Sequence, residues 1–232
     1  MAETKSAGPL RWILRIVGGL ILAALLLPVA HVVIHRFVPA PATYLAVSRA
    51  LGGKAYERRW VPIERISPHL VTAVIAAEDA NFCRHHGFDV AAIERALKHN
   101  ERRPNRLRGG STISQQTAKN VFLWPGRGFV RKGVEAYYTV LMEAIWGKRR
   151  IMEMYLNVVE WAPGVYGAEA ASRHWYRKSA AHLTPPEAAR LAAILPRPLK
   201  RKPGAQSRRG RQISANMGEV RVEHLADCVL KR

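Results

Sequence analysis

An apolar run near the N-terminus constrains this chain more than any other feature. From Ile16 to Ile34 the only polar side chain is His31, with Gly18-Gly19 and Pro28 inside the run. A helix of that length covers roughly 28 Å, close to the hydrocarbon core of a bilayer. Lys5, Arg11 and Arg15 precede it against a single acid, Glu3. The positive-inside rule then keeps residues 1–15 in the cytoplasm and exports the remainder of the chain. A cleaved signal peptide would have its apolar part at Ile16–Leu27. However, the run continues through Val32-Val33-Ile34, and the nearest small-x-small site, Ala40-Pro41-Ala42, lies too far along. The pattern favours an uncleaved anchor over residues 16–36.

Charge narrows the partners. The chain of 232 residues carries a formal net charge of +20, so it must meet something anionic. Nucleic acid is the usual candidate. Export of the basic domain argues against nucleic acid and favours a phosphorylated lipid at a membrane surface. Cys83 and Cys228 are the only cysteines, which excludes a zinc-type cluster. Their separation makes a disulfide between them unexpected.

Residues 37–59 contain Pro39, Pro41, Gly52 and Gly53 and read as a juxtamembrane connector, with one short helix around Tyr44–Ala50. Residues 60–199 show helical periodicity repeatedly and almost no strand-like alternation, so the compact domain reads as mainly α. Ser67-Pro68 is an N-cap with proline at the first helical position. Val71, Ile75, Glu78 and Phe82 then form one stripe. Further helices are expected over Phe88–Lys98, from Thr112, over Val130–Trp146, Lys148–Val159 and Gly167–Tyr176, and from the Thr184/Glu187 capping box. From Lys200 to Arg211 the charges are all basic, and residues 200–232 read as a mobile basic tail with a short helix in Glu219–Val229.

Three groups carry chemistry. Gly109-Gly110-Ser111-Thr112 leads into a helix bearing Gln115, Gln116 and Lys119. It reads equally as a polar cradle for an anion, with the glycines letting the backbone approach a ligand, or as a surface turn. Glu78 sits in an apolar stripe, where burial raises a carboxyl pKa and makes a better base near neutral pH. The alternative is a salt-bridged core acid, and His85 nearby reads first as a packing or capping histidine. Glu135 shares a helix face with Arg131 or Lys132, either as a surface ion pair or as a carboxylate beside a cationic phosphate site. Lys119, Arg127, Arg131 and Lys132 fall in one short stretch and together could hold a diphosphate. The chain has no paired-Asp motif, no phosphate loop and no recognisable Ser/His/Asp set.

Taken in order, five stretches resemble the family-51 peptidoglycan glycosyltransferases, in their monofunctional, membrane-anchored form. They are Glu78–Gly87, Gly109–Asn120, Arg131–Glu135, Lys148–Asn157 running on to Gly167, and Leu183–Pro196. The length beyond them leaves no room for a transpeptidase domain. The resemblance implies a lysozyme-like helical glycosyltransferase domain over residues 60–199, anchored by one N-terminal transmembrane helix. It implies polymerisation of lipid II, and of the growing lipid-linked glycan, at the outer face of a bacterial inner membrane. Glu78 matches the general base and Glu135 the second essential acid. Lys119, Arg127, Arg131 and Lys132 match cations around the leaving diphosphate. Ser111, Gln115 and Gln116 match cleft residues, and Lys148 and Asn157 match the fourth motif, in a mixed structural and binding role. No obligatory cofactor is implied, and a divalent cation, Mg or Mn, stays open. Other wall-synthesis or division proteins are the implied protein partners. Ala162 stands where the family commonly has glycine, which questions the shape of the Pro163-Gly164 loop.

Overall fold

The computed structural model describes residues 9–40, 43–53, 56–105, 109–126, 128–204 and 207–231. Helix α1 (Pro9–Phe37) is followed by α2 (Tyr44–Leu51), α3 (Pro68–Glu78), α4 (Val90–Arg102) and α5 (Ile113–Phe122). Then come α6 (Phe129–Ile145), α7 (Gly147–Val158), α8 (Ala168–Tyr176), α9 (Pro185–Ala192), α10 (Arg208–Val222) and α11 (Asp227–Leu230).

Local sequence explains most of these limits. The Ser67 hydroxyl accepts from the His69 amide and opens α3. The Thr112 hydroxyl accepts from the Gln115 amide while the Gln115 side chain accepts from the Thr112 amide, a complete capping box at α5. Asp89 caps α4 through the Ala92 amide. In α7, Ile151, Met154, Tyr155 and Val158 are all buried, as their spacing requires.

From Arg11 to Phe37, α1 is long and apolar enough to cross a membrane. Leu20, Leu22, Leu26 and Leu27 are exposed along it. Its second half packs on α6. There the Tyr137 hydroxyl donates to the Leu25 carbonyl at 2.8 Å and the Trp146 indole N–H to the Val32 carbonyl at 2.7 Å.

Two features depart from the sequence expectation. The first is a small sheet of β1 (Glu57–Arg58), β2 (Glu160–Ala162) and β3 (Val165–Tyr166), ordered β1-β3-β2, with β1 parallel and β2 antiparallel to β3. Strands of two or three residues are too short to display a period of two. Ala162 pairs with Val165 here, so the turn forms without a glycine at that position. Gly167 lies just beyond, at φ 85°, and a Cβ there would lie 2.9 Å from the Asn157 carbonyl oxygen. Only glycine permits that approach.

The second is the C-terminal segment, which is not a mobile tail. Ser207 caps α10 through the Gly210 amide, and α10 packs on α3 and α9. Ile213, Met217, Val220 and Val229 join the buried core. Cys83 and Cys228 form a disulfide across 145 residues, because α10 brings α11 back beside the loop after α3. Arg84 pairs with Glu223 at 3.2 Å along the same seam. Closing so long a loop restricts the unfolded chain, so Cys228→Ser is expected to lower the unfolding free energy by about 2–4 kcal/mol. Denaturant titration of the protein in micelles, with and without reductant, measures this: the wild type should lose stability on reduction and the variant should not.

Candidate functional site

Glu78 is the last residue of α3 and Asp79 caps it. Successive residues at a helix end point apart, and these two acids enter different surroundings. The Asp79 carboxylate is buried. It accepts the Ile113 amide, the first of α5, at 2.9 Å, and both of its oxygens lie 3.0 Å from His85 Nε2. The Gly87 amide donates to His85 Nδ1 at 3.1 Å, so the ring proton sits on Nε2 and faces Asp79. His85 is therefore an orienting residue, as its packing alternative anticipated.

Glu78 lines a cavity of about 570 Å³, shared with Asp79, Asn81, Arg95, Gly109, Ser111 and Asn216. Its side chain is only 12% exposed. Gln116 Nε2 donates to one oxygen at 3.2 Å and Arg209 Nη2 to the other at 3.3 Å. Burial raises the Glu78 pKa above its ordinary value, Asp79 adds to the rise, and Gln116 and Arg209 oppose it. The Gln116 amide is itself oriented by the Tyr155 hydroxyl, which donates to Oε1 at 3.2 Å. Burial first, then the charges of Glu78 and Asp79, push that phenol well up, so it stays a donor.

A second, more apolar cavity of about 210 Å³ shares Gly110 and Ser111 with the first and extends past Ile93 and Gln115 to Lys132. Lys132 in turn pairs with Glu135, which is 4% exposed and accepts from Arg131 at 3.0 Å. Lys119 feels both acids. Desolvation lowers its ammonium pKa, Glu135 raises it, Arg131 and Lys132 lower it, and Glu78 raises it. Two adjacent cavities thus separate a carboxylate of raised pKa from Lys132, one of the two cations that hold the buried Glu135, and Lys119 is coupled to both acids.

The structure brings together Glu78, Ser111, Gln116, Lys119, Arg131, Lys132 and Glu135. Arg127, Arg106 and Arg108 lie outside the described residues. Three of the expected binding residues have structural partners. Gln115 lines the second cavity, but its side-chain oxygen is committed to the capping box. Lys148 does not enter the cleft: its ammonium pairs with Glu143 at 2.7 Å and sits 4.5 Å over the Phe82 ring. Asn157 is fully buried, exchanging hydrogen bonds with the Val61 backbone at 3.0 and 2.9 Å. The helical period points Lys148 and Asn157 into the core and toward the chain before α3. The glycines also act differently. Gly110 makes room for α4, since a Cβ there would lie 3.1 Å from Ile93 Cα, while Gly109 faces open space.

Sequence reading missed Arg209 and Asn216, both on α10. The signal was present in the Ser207 cap and in Ile213, Met217 and Val220, spaced by four and three. The surrounding basic residues obscured it. Among the described residues no three His, Cys, Asp or Glu side chains gather as a metal-ligand group.

A base at one end of a cleft and fixed positive charge at the other can take a proton and receive a departing anion, the division of labour of a general-base group transferase. The sequence gives this class its family. Residues 46–221 match the transglycosylase family model, and the chain belongs to that family. It is 52% identical over 227 residues to the biosynthetic peptidoglycan transglycosylase of Caulobacter vibrioides, covering 94% of this chain and 99% of the relative. It is 50% identical to that of Rhodospirillum centenum, covering 94% and 96%, and 54% identical to that of Aeromonas hydrophila, covering 78% of each.

This geometry leads to two measurable outcomes. A raised carboxyl pKa means the fold favours the neutral form, a preference fully felt below the ordinary value of 4.5 and lost as pH rises through the folded value. Glu78→Gln should therefore melt higher than the wild type at pH 7.5, and the gap should close as pH falls toward 4.5. Asn157→Ala should cost about 2–3 kcal/mol in denaturant titration, because the buried Val61 amide and carbonyl lose their partner.

Proposed function

We propose that this chain is a peptidoglycan glycosyltransferase that polymerises lipid II. The observation that carries the reading is that the Glu78 cavity shares Gly110 and Ser111 with a neighbouring cavity lined by Lys132, the partner of Glu135. In the reaction, the Glu78 carboxylate takes the proton of the acceptor GlcNAc 4-hydroxyl. That oxygen attacks the anomeric carbon of the donor MurNAc. The bond from that carbon to the diphosphate oxygen breaks, the electron pair leaves with undecaprenyl diphosphate, and the α-linkage becomes a β-1,4 bond.

Lys119, Arg131 and Lys132 neutralise the departing diphosphate, with Arg127 as a further cation of the same set. Glu135 keeps Arg131 and Lys132 ordered, so that no reorganisation is required as charge develops. Ser111 and Gln116 line the sugar path. The reaction has no obligatory cofactor, and a divalent cation, Mg or Mn, would act only by assisting the diphosphate. The substrate is already anionic and membrane-borne, which suits both the net charge of +20 and the apolar α1. The N-terminus lies in the cytoplasm and the catalytic domain on the outer face of the inner membrane. The Cys83–Cys228 disulfide supports that side, since disulfides persist in oxidising compartments. The protein works beside other wall-synthesis or division proteins.

Incubation of the full chain in micelles with lipid II tests this. Long glycan and free undecaprenyl diphosphate should form, and Glu78→Gln should reduce turnover by about 100-fold or more while remaining folded. Shortening of pre-formed glycan, with lipid II untouched, would replace this reading with a hydrolase.

A further inference from the structure

The C-terminal segment completes the surroundings of the base. We propose that α10 is part of the reaction machinery, and that Arg209 is a positioning residue that tethers the Glu78 carboxylate from the side opposite Gln116. The proposal rests on the polymerase reading for what Glu78 does.

The geometry is specific. One nitrogen, Arg209 Nη2, donates both to the Ala77 carbonyl at 3.2 Å and to Glu78 Oε1 at 3.3 Å. It thus fixes the carboxylate relative to the backbone one residue earlier. Gln116 Nε2 holds the other oxygen, Oε2. A carboxylate held at both oxygens by two different helices cannot rotate freely. Its direction into the cavity is set before substrate arrives, which is what a general base requires. The same helix lines that cavity with Asn216. The tether depends on α10 staying against α3, a position secured by the buried Gly210, Ile213 and Met217 and by the disulfide beyond them.

Among the described residues, Asp89 and Arg95 at the start of α4 line the Glu78 cavity and pair with each other. Asp79 lies on the same turn as Glu78, Gln116 and Lys119 come from α5, Tyr155 from α7 and Arg209 from α10. Helix α9 also packs on α3, but its Glu187 is taken up by Lys178 and Thr184, and its Arg190 lines a separate cavity beside Gly210. Asp79 pushes the Glu78 pKa up and Arg209 pulls it down. Loss of Arg209 should therefore leave Glu78 protonated to higher pH, and the acid limb of the rate profile should move upward.

The test measures kcat and KM against pH for the full chain with lipid II, in the wild type, Arg209→Met, Arg209→Lys and Arg84→Ala. Arg84 pairs with Glu223 on the same seam without touching Glu78. Arg209→Met should shift the acid limb up by about one pH unit. One unit below the wild-type limb its kcat should fall about tenfold, with KM little changed. Arg209→Lys should lie between, and Arg84→Ala should keep the wild-type limb. In parallel, the 13C carboxyl resonance of Glu78, assigned by its loss in Glu78→Gln, should titrate at higher pH in Arg209→Met. An unshifted limb and resonance would overturn the proposal, as would a uniform loss at every pH that tracks a lowered melting temperature. If the wild type makes no glycan, the polymerase reading fails instead, and the carboxyl titration alone decides the tether.

Discussion

The buried carboxylate of Asp79 holds the site together. A buried charge is costly unless hydrogen bonds replace its water. Asp79 obtains them from His85 and from the first amide of α5, where the helix dipole also favours negative charge. Moving any of the three would strand the acid. The end of α3, the loop after it and the start of α5 are thereby one unit. Glu78 takes its direction from that unit, and Gln116, one turn into α5, is delivered to it.

Helix α6 links this unit to the long apolar helix α1. One face receives α1, through Tyr137 and Trp146. Another carries Arg131, Lys132 and Glu135. A single helix therefore sets the position of the cationic cluster relative to the long apolar helix α1. The C-terminus closes the arrangement from the other side, since α10 packs on α3 and the disulfide joins α11 to the loop after it.

Local signals in the sequence carry far. The Ser67, Thr112 and Thr184 caps, the apolar run from Ile16 and the stripe through Tyr155 are each encoded within a few residues, and the helices form where those residues put them. The acids at Glu78 and Glu135 stand out for the same reason: a carboxylate in an apolar stripe, or beside paired cations, is visible in the linear pattern. Lys148 and Asn157 mislead because a polar residue looks the same in sequence whether it meets a ligand or a buried backbone. The partners that settle it, Glu143 and Val61, are set by packing.

The sequence by itself determined the long apolar N-terminal helix, the helical domain and the stretch containing each acid, because periodicity and capping are short-range properties. Tertiary structure alone decided which of two adjacent acids is tied to His85 and the first amide of α5 and which to Gln116 and Arg209, that Gly110 serves helix packing, and that a basic C-terminal run returns as α10 to place Arg209 on Glu78. Those outcomes depend on contacts between different helices and loops, some of them, such as Arg209 with Glu78 and Cys83 with Cys228, more than a hundred positions apart. No local pattern encodes such contacts, and they exist only once the helices have packed.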